Sequence, residues 1–247
     1  MTKERLYSGE TCFGAFVGIG SPDIVDILKR LGFDWLLFDM EHSYMSIETV
    51  KTMIQALGDK VSPVTRIGQV DQYLVKRALD AGSEGILAPL INSPEEAERL
   101  VKFAMYPPRG VRGLGSSRAT GFGLNTSEYF QTANDQLLIG VQIETTEALA
   151  GANEILGTKG VDLGFVGPTD LTVSLGLGQD RTNPKVIESL QKVVKDCSKQ
   201  GKIPGTMATS VEEAKKFQEI GFRFIALASD ARFLISGARA FLSTKQH

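Results

Sequence analysis

Residues 161–170, VDLGFVGPTD, run from a short apolar segment into a Gly-Pro turn that ends on a carboxylate. The same order recurs along the chain: a short apolar run, a polar turn, then a helix-like segment. The apolar runs are CFGAFV (12–17), DWLLFDM (34–40), VSPVTR (61–66), EGILAPL (84–90), QLLIGVQIE (136–144), VDLGFV (161–166), KIPGTMA (202–208) and RFIALAS (223–229). Between them, Ser21-Pro22, Ser93-Pro94 and Asn183-Pro184 each set a cap side chain before a proline at the first helical position. Ser93 with Glu96, and Ser210 with Glu213, have capping-box spacing. Strands alternating with helices imply a parallel sheet with right-handed crossovers. Eight of them in 247 residues is the count of a (β/α)8 barrel, with a doubly wound open sheet as the main rival.

No low-complexity linker or composition shift divides the chain, so residues 1–247 read as one domain. At 42% hydrophobic residues the chain is too apolar for disorder, and its length supports a core without a staple. Lys and Arg number 27 against 29 Asp and Glu, so no broad basic field exists to hold nucleic acid. Cys12 and Cys197 form no metal-type pair. The opening MTKERLYSGE lacks the apolar core of a signal peptide, and no apolar run reaches membrane-span length. The expectation is a soluble, cytoplasmic protein with neither nucleic-acid nor membrane partners.

Reactive side chains of a barrel gather at the carboxyl ends of its strands. Here the second run leads into Asp39, Glu41 and His42, the third ends at Arg66, the fifth at Glu144, and the sixth opens into Gly167-Pro168-Thr169-Asp170. The opposite ends carry mostly helix-terminal glycines such as Gly82, Gly201 and Gly221. That asymmetry points to an enzyme. Period-two alternation puts Leu138, Gly140, Gln142 and Glu144 on one face of the fifth strand and Ile139, Val141 and Ile143 on the other. The aliphatic face meets the helices, so Gln142 and Glu144 point into the barrel mouth.

Glu144 and Asp170 suit a hard divalent cation, which takes one or two carboxylates and leaves the rest to water and substrate. The competing reading is a Glu144–Arg66 ion pair and a helix-capping Asp170. Only His42 and His247 are histidines, so imidazole chemistry near neutral pH rests on His42, unless that residue is structural. Arg66 serves either the chemistry or a framework ion pair. GLGSSR (113–118) lacks the third glycine of a dinucleotide fingerprint, and the chain has no phosphate loop and no nucleophile elbow. No lysine ends a strand, so a metal is a better electron sink than a Schiff base.

Four stretches, FDWLLFDMEHS (33–43), AMYPPRGVRGLGSSRATGFG (104–123), VQIET (141–145) and VDLGFVGPTDLTVSLG (161–176), resemble the metal-dependent 2-keto-3-deoxy acid aldolases. That family includes the 4-hydroxy-2-oxoheptanedioate aldolases and is distantly related to the citrate lyase β-subunit. The resemblance spans almost the whole chain in matching order. It implies a (β/α)8 barrel with its last helix swapped onto a neighbour, in a homo-hexamer built of dimers. It also implies reversible aldol chemistry joining pyruvate and an aldehyde, with a magnesium, manganese or cobalt ion. By that resemblance Glu144 and Asp170 are the metal ligands, His42 the acid/base residue and Arg66 the neighbour of the keto oxygen. Gln142, Gly167 and Thr169 line the pyruvate site. Asp39 and Asp80 join the active-site network, Asp80 from a neighbouring subunit. Phe16 stands where the family often has Trp, a departure at the acceptor pocket.

The longest irregular piece, 106–125, holds two prolines, five glycines and three arginines. A loop of that length is functional or disordered. The expectation is that it walls the open face, with Arg118 and Arg112 meeting the aldehyde; otherwise these arginines tie the loop down through ion pairs. Two other functions compete with the aldolase: a CoA-ester lyase of the citrate lyase type, and a non-catalytic barrel that binds oxo acids.

Overall fold

The computed structural model describes residues 2–244, so His247 lies outside the described residues. Eight parallel strands close into a barrel in sequence order. They are β1 (Cys12–Val17), β2 (Trp35–Asp39), β3 (Ser62–Arg66), β4 (Gly85–Ala88), β5 (Leu138–Ile143), β6 (Leu163–Val166), β7 (Ile203–Ala208) and β8 (Phe224–Ser229). Each falls within its expected run. The pairing of β1 with β8 closes the ring and excludes the open-sheet rival.

Alternation along the strands builds two packed layers. Phe16, Trp35, Leu37, Leu138, Leu163, Phe165 and Phe224 fill the barrel interior. Ile86, Ile139, Val141, Ile143 and Val166 pack outward against the helices. The fifth strand thus divides as its period of two requires. Inside, a Cβ at Gly14 would lie 2.1 Å from Trp35 Cδ2. Only glycine leaves room there for the indole, whose ring stacks 3.7 Å from that of Phe224.

The amino end of the barrel is closed by a short helix, Thr2–Tyr7, that carries buried Leu6 into the interior cluster. Lys3 Nζ reaches Asp162 at 3.0 Å and Tyr7 Oη donates to the same carboxylate at 2.9 Å, fixing this plug. Of the expected helix starts, Ser93, Ser210 and Asn183 accept backbone N–H groups, whereas Ser21 makes no side-chain cap bond. Glu96 and Glu213 reach back one residue beyond the cap, to the amides of Asn92 at 2.7 Å and Thr209 at 2.6 Å.

The 106–125 segment corrects an expectation. It follows the helix Pro94–Ala104 and leads through Thr126–Gln136 into β5, so it joins a helix to a strand. Such a connection returns the chain to the amino face, away from the strand ends that carry chemistry. There the Ala119 amide donates to the Asp80 carbonyl at 3.3 Å, and Arg118 Nη2 reaches the Ile54 carbonyl at 3.4 Å. Arg118 packs over Gly82, in the turn that enters β4. The loop therefore does not wall the open face of its own barrel, and Arg118 does not line that chain's site. Arg112 takes the framework role: it is buried, pairs with Asp80 at 2.9 Å, and lies over the rings of Tyr106 and Tyr129. Asp80, at the end of the helix Gln72–Asp80, lies on the same amino face.

Candidate active site

At the carboxyl ends of β2 and β3, Asp39 and Arg66 are register partners. Arg66 Nε and Nη2 donate to the two oxygens of Asp39 at 2.9 and 2.7 Å. Arg66 Nη1 lies 3.0 Å from Glu41 Oε2, and the guanidinium rests 4.9 Å above the Phe16 ring. Asp39 Oδ1 also accepts the amides of Glu41 and His42, at 3.0 and 3.3 Å. One carboxylate thus fixes both the arginine and the turn that presents His42. Burial alone would raise the Asp39 pKa, but the Arg66 hydrogen bonds and charge outweigh it and hold the carboxyl below its usual range.

From β5, Gln142 and Glu144 face inward as the alternation requires, only 1% and 3% exposed. Glu144 Oε1 accepts the Leu90 amide at 2.8 Å and Oε2 accepts Gln142 Nε2. Glu144 is therefore not Arg66's partner; Asp39 and Glu41 fill that place. From the turn after β6, Asp170 sits in the first turn of the helix Pro168–Ser174, with Gly167 as its N-cap. A Cβ at Gly167 would lie 3.1 Å from Glu144 Oε2, 3.2 Å from Gln142 Nε2 and 3.3 Å from Asp170 Oδ2. Glycine there leaves a cradle into which two carboxylates and an amide converge.

The electrostatics of that cradle are one-sided. Burial pushes the Glu144 carboxyl above its usual range, against the pull of the Leu90 and Gln142 amides, and the charges of Glu41 and Asp170 add to the rise. Burial also raises Glu41, with Arg66 and His42 pulling it back and Asp39 and Asp170 adding to the rise. Around this cradle Asp39, Glu41, Glu144 and Asp170 have Arg66 as their one neighbouring arginine, so this end of the cleft lacks positive charge. His42 stands at the rim, its side chain 64% exposed and its Nε2 3.7 Å from Glu41 Oε1.

These groups line a cleft of about 360 Å³ that holds Phe16, Asp39, His42, Arg66, Gln142, Gly167, Thr169 and Asp170. Nine of the twelve residues given a site role from sequence touch it or, as Glu144 does, border its cradle; Asp80, Arg112 and Arg118 do not. Three groups had no role assigned from sequence. Glu41 bridges Arg66 and His42. Asp230, buried at the start of the last helix, accepts the amides of Gly18 and Ile19 and so fixes the loop after β1. Arg181 lines the cleft from the 175–183 connection. Asp230 follows the last strand directly, a position signal of the same kind that exposed Glu144; Arg181 carries none.

A parallel eight-stranded barrel with carboxylates, two arginines and one histidine at its carboxyl face defines a class: (β/α)8 enzymes acting on small polar molecules. Within it, the family described as HpcH/HpaI aldolase/citrate lyase matches residues 13–237, and the chain belongs to that family. A 4-hydroxy-2-oxo-heptane-1,7-dioate aldolase from Klebsiella pneumoniae is 36% identical over 99% of this chain and 93% of its own length. The structure of a family member from Burkholderia cenocepacia J2315 superposes with a TM-score of 0.93 at 34% identity, covering 98% of this chain and 97% of that one. An HpcH/HpaI aldolase from Desulfitobacterium hafniense gives 0.90 at 30%, covering 98% and 95%. A citrate lyase β-subunit from M. tuberculosis shares the fold alone, at 15% identity and a TM-score of 0.60 over 92% of this chain and 95% of that one.

Proposed function

We propose that the protein is a divalent-metal-dependent pyruvate aldolase, cleaving 4-hydroxy-2-oxo acids reversibly to pyruvate and an aldehyde. The convergence of Glu144, Gln142 and Asp170 on Gly167, beside the fixed Arg66, carries this reading. Among the described residues no group of three His, Cys, Asp or Glu is set to hold a metal. The donor set is instead two carboxylates, which fits magnesium, manganese or cobalt completed by water and substrate oxygens. The negative excess of the cradle supplies the electrostatic demand for such a cation. When bound, the cation acts as a Lewis acid toward the keto oxygen of the substrate.

The chain's own groups do the rest. Arg66, immobilised by Asp39, keeps N–H donors in the mouth and sets a fixed positive charge where the enolate oxygen develops; preorganised charge of this kind is usually the largest catalytic contribution. Gln142 orients the pyruvate carboxylate, with the Gly167 and Thr169 backbone beside it. His42 moves the proton between the pyruvate methyl group and the mouth. Phe16 and Phe165 exclude water from the inner wall. Holding so many carboxylates together costs stability, which marks the cluster as a functional site rather than framework. The K. pneumoniae relative is named for a heptanedioate; the reaction class, rather than that acceptor, is what we extend to this chain.

The same reading assigns a cytoplasmic homo-oligomer, a hexamer built of dimers. The helix Asp230–Leu242 exposes Phe233, Leu234, Ile235, Phe241 and Leu242, an apolar face suited to cover by a neighbour. Asp80, on the amino face of its own barrel, could join an active site only in another subunit. No helix among the described residues is long and apolar enough to cross a membrane. The test is release of pyruvate from a panel of 4-hydroxy-2-oxo acids by the metal-loaded protein, read by coupled lactate dehydrogenase. Release from at least one is expected, and release from none overturns the reading.

A further inference from the structure

We infer that Arg181 determines acceptor specificity, receiving a carboxylate at the far end of the aldehyde half of the substrate; this rests on the aldolase reading above. Arg181 lies in the 175–183 connection that follows the helix after β6, so chain direction places it on the carboxyl face. It lines the same cleft as Arg66 and Asp170, together with Met207 at the end of β7 and Asp230 after β8. The pyruvate end of the cleft is built by β2, β3, β5 and β6. Arg181 stands beside it at the end of β7, on the side left for the aldehyde half.

Its fixation is one-sided. Nη2 donates to the Met207 carbonyl at 2.9 Å and pairs with Glu213 Oε1 at 2.8 Å. The other Glu213 oxygen is taken by the amide and hydroxyl of Thr209, at 2.6 and 2.9 Å. Glu213 therefore cannot meet the guanidinium as a two-pronged partner. Nε is buried with no hydrogen-bond partner among the described residues. A purely structural arginine would use its planar fork more fully. The side chain is 17% exposed and Nη1 makes no hydrogen bond among the described residues, so the guanidinium is held in place with the Nη1 donors, not the buried Nε, left to offer.

Charge across the mouth supports the same assignment. The β2–β6 side carries Asp39, Glu41, Glu144 and Asp170 against Arg66 alone. Near Arg181, Arg232 adds a second positive charge, and Glu213 and the amide-bound Asp230 offset the two, so this side is balanced where the other carries a negative excess. A substrate chelated at one end and carrying a carboxylate at the other matches that polarity; a neutral aldehyde uses only half of it.

The test compares two acceptors of nearly equal shape, 4-oxobutanoate and its methyl ester, in aldol addition to pyruvate by the full-length, magnesium-loaded protein. The quantity read is the ratio of kcat/KM for acid over ester, in which general damage to the fold or the pyruvate site cancels. Arg181→Met keeps the apolar stem and removes the donors; the ratio should fall about 10- to 100-fold, the equivalent of one charge-assisted hydrogen bond. Arg181→Lys, which keeps the charge without the fork, should fall between the two. A ratio within about twofold of the unmodified protein in both variants overturns the assignment, with the aldolase reading left standing. An unmodified protein that adds no aldehyde to pyruvate overturns that reading and this assignment with it.

Discussion

Two irregular, glycine-bearing segments, 106–125 and 175–183, both carry arginines, yet they end on opposite faces of the barrel. The first joins a helix to β5 and folds against Asp80, Gly82 and Ile54. The second follows β6 and its short helix and lines the cleft at the carboxyl face. Glycine content and length favoured the first as the functional wall. What decides is the direction in which the chain crosses the barrel: strand-to-helix connections lie on the face with the chemistry, helix-to-strand connections on the other. An arginine's role follows from that. Arg112 neutralises Asp80 and lies over two tyrosine rings, while Arg181 keeps donors beside the cleft.

The largest expected effect lies at the carboxyl face. Asp170→Ala removes one of only two carboxylates in the cradle from an exposed position, so the barrel should fold normally while aldol cleavage falls by at least about a thousandfold. Lewis-acid assistance contributes several kcal/mol, and each 1.36 kcal/mol is a factor of ten in rate. Excess chelator should silence the unmodified protein, and magnesium, manganese or cobalt should restore it. Full activity in excess chelator would remove the metal from the reading. Arg66→Ala comes next. Its charge is matched to an oxygen that becomes anionic only along the reaction, so a loss on the order of 100-fold should fall on kcat more than on KM. A rise in KM with kcat unchanged would reduce Arg66 to a binding group.

On the amino face the expected effects are on stability. Arg112→Ala leaves Asp80 without its ion pair and opens a gap between Tyr106 and Tyr129. Removing one partner of a buried pair costs about 3–5 kcal/mol, and the value here should lie near 3 because Asp80 keeps some contact with water. Denaturant unfolding measures it. A change under about 1 kcal/mol would mean that this loop is not part of the framework.

How much of this was legible in the sequence differs between the faces for a physical reason. The strands were legible because a buried parallel strand is a short apolar run, and Glu144 because a period of two fixes its face once Ile139, Val141 and Ile143 are seen. Asp39, Arg66 and Asp170 were legible because each stands at or just past a strand's end. Who pairs with whom was not: Arg66 chose Asp39, its register partner, over Glu144, and register depends on the closed ring. Arg181 was illegible because an irregular segment has no period to place its side chains. The orientation of 106–125 was legible in principle from the order helix, loop, helix, strand, and composition obscured it. The plug of Leu6 into the barrel floor has no signature beyond a short amphipathic start.

The smallest effect provides the sharpest comparison. Arg118 makes one long hydrogen bond, 3.4 Å to the Ile54 carbonyl, and its Nε is buried without a partner among the described residues. Arg118→Ala therefore removes an unsatisfied donor together with a weak contact, and stability should change by less than about 1 kcal/mol. Within one chain Arg118 is remote from the cleft, so the preference for 4-oxobutanoate over its methyl ester should stay within about twofold, in contrast to Arg181→Met. Both variants belong in one experiment, since each is the other's control for a lost arginine charge. If Arg118→Ala shifts the preference as far as Arg181→Met does, the two loops are not functionally opposed after all. The amino face of one subunit then closes over the carboxyl face of the next, and acceptor choice is made between two chains. In that case dilution to monomer, followed by light scattering, should abolish the preference together with the assembly.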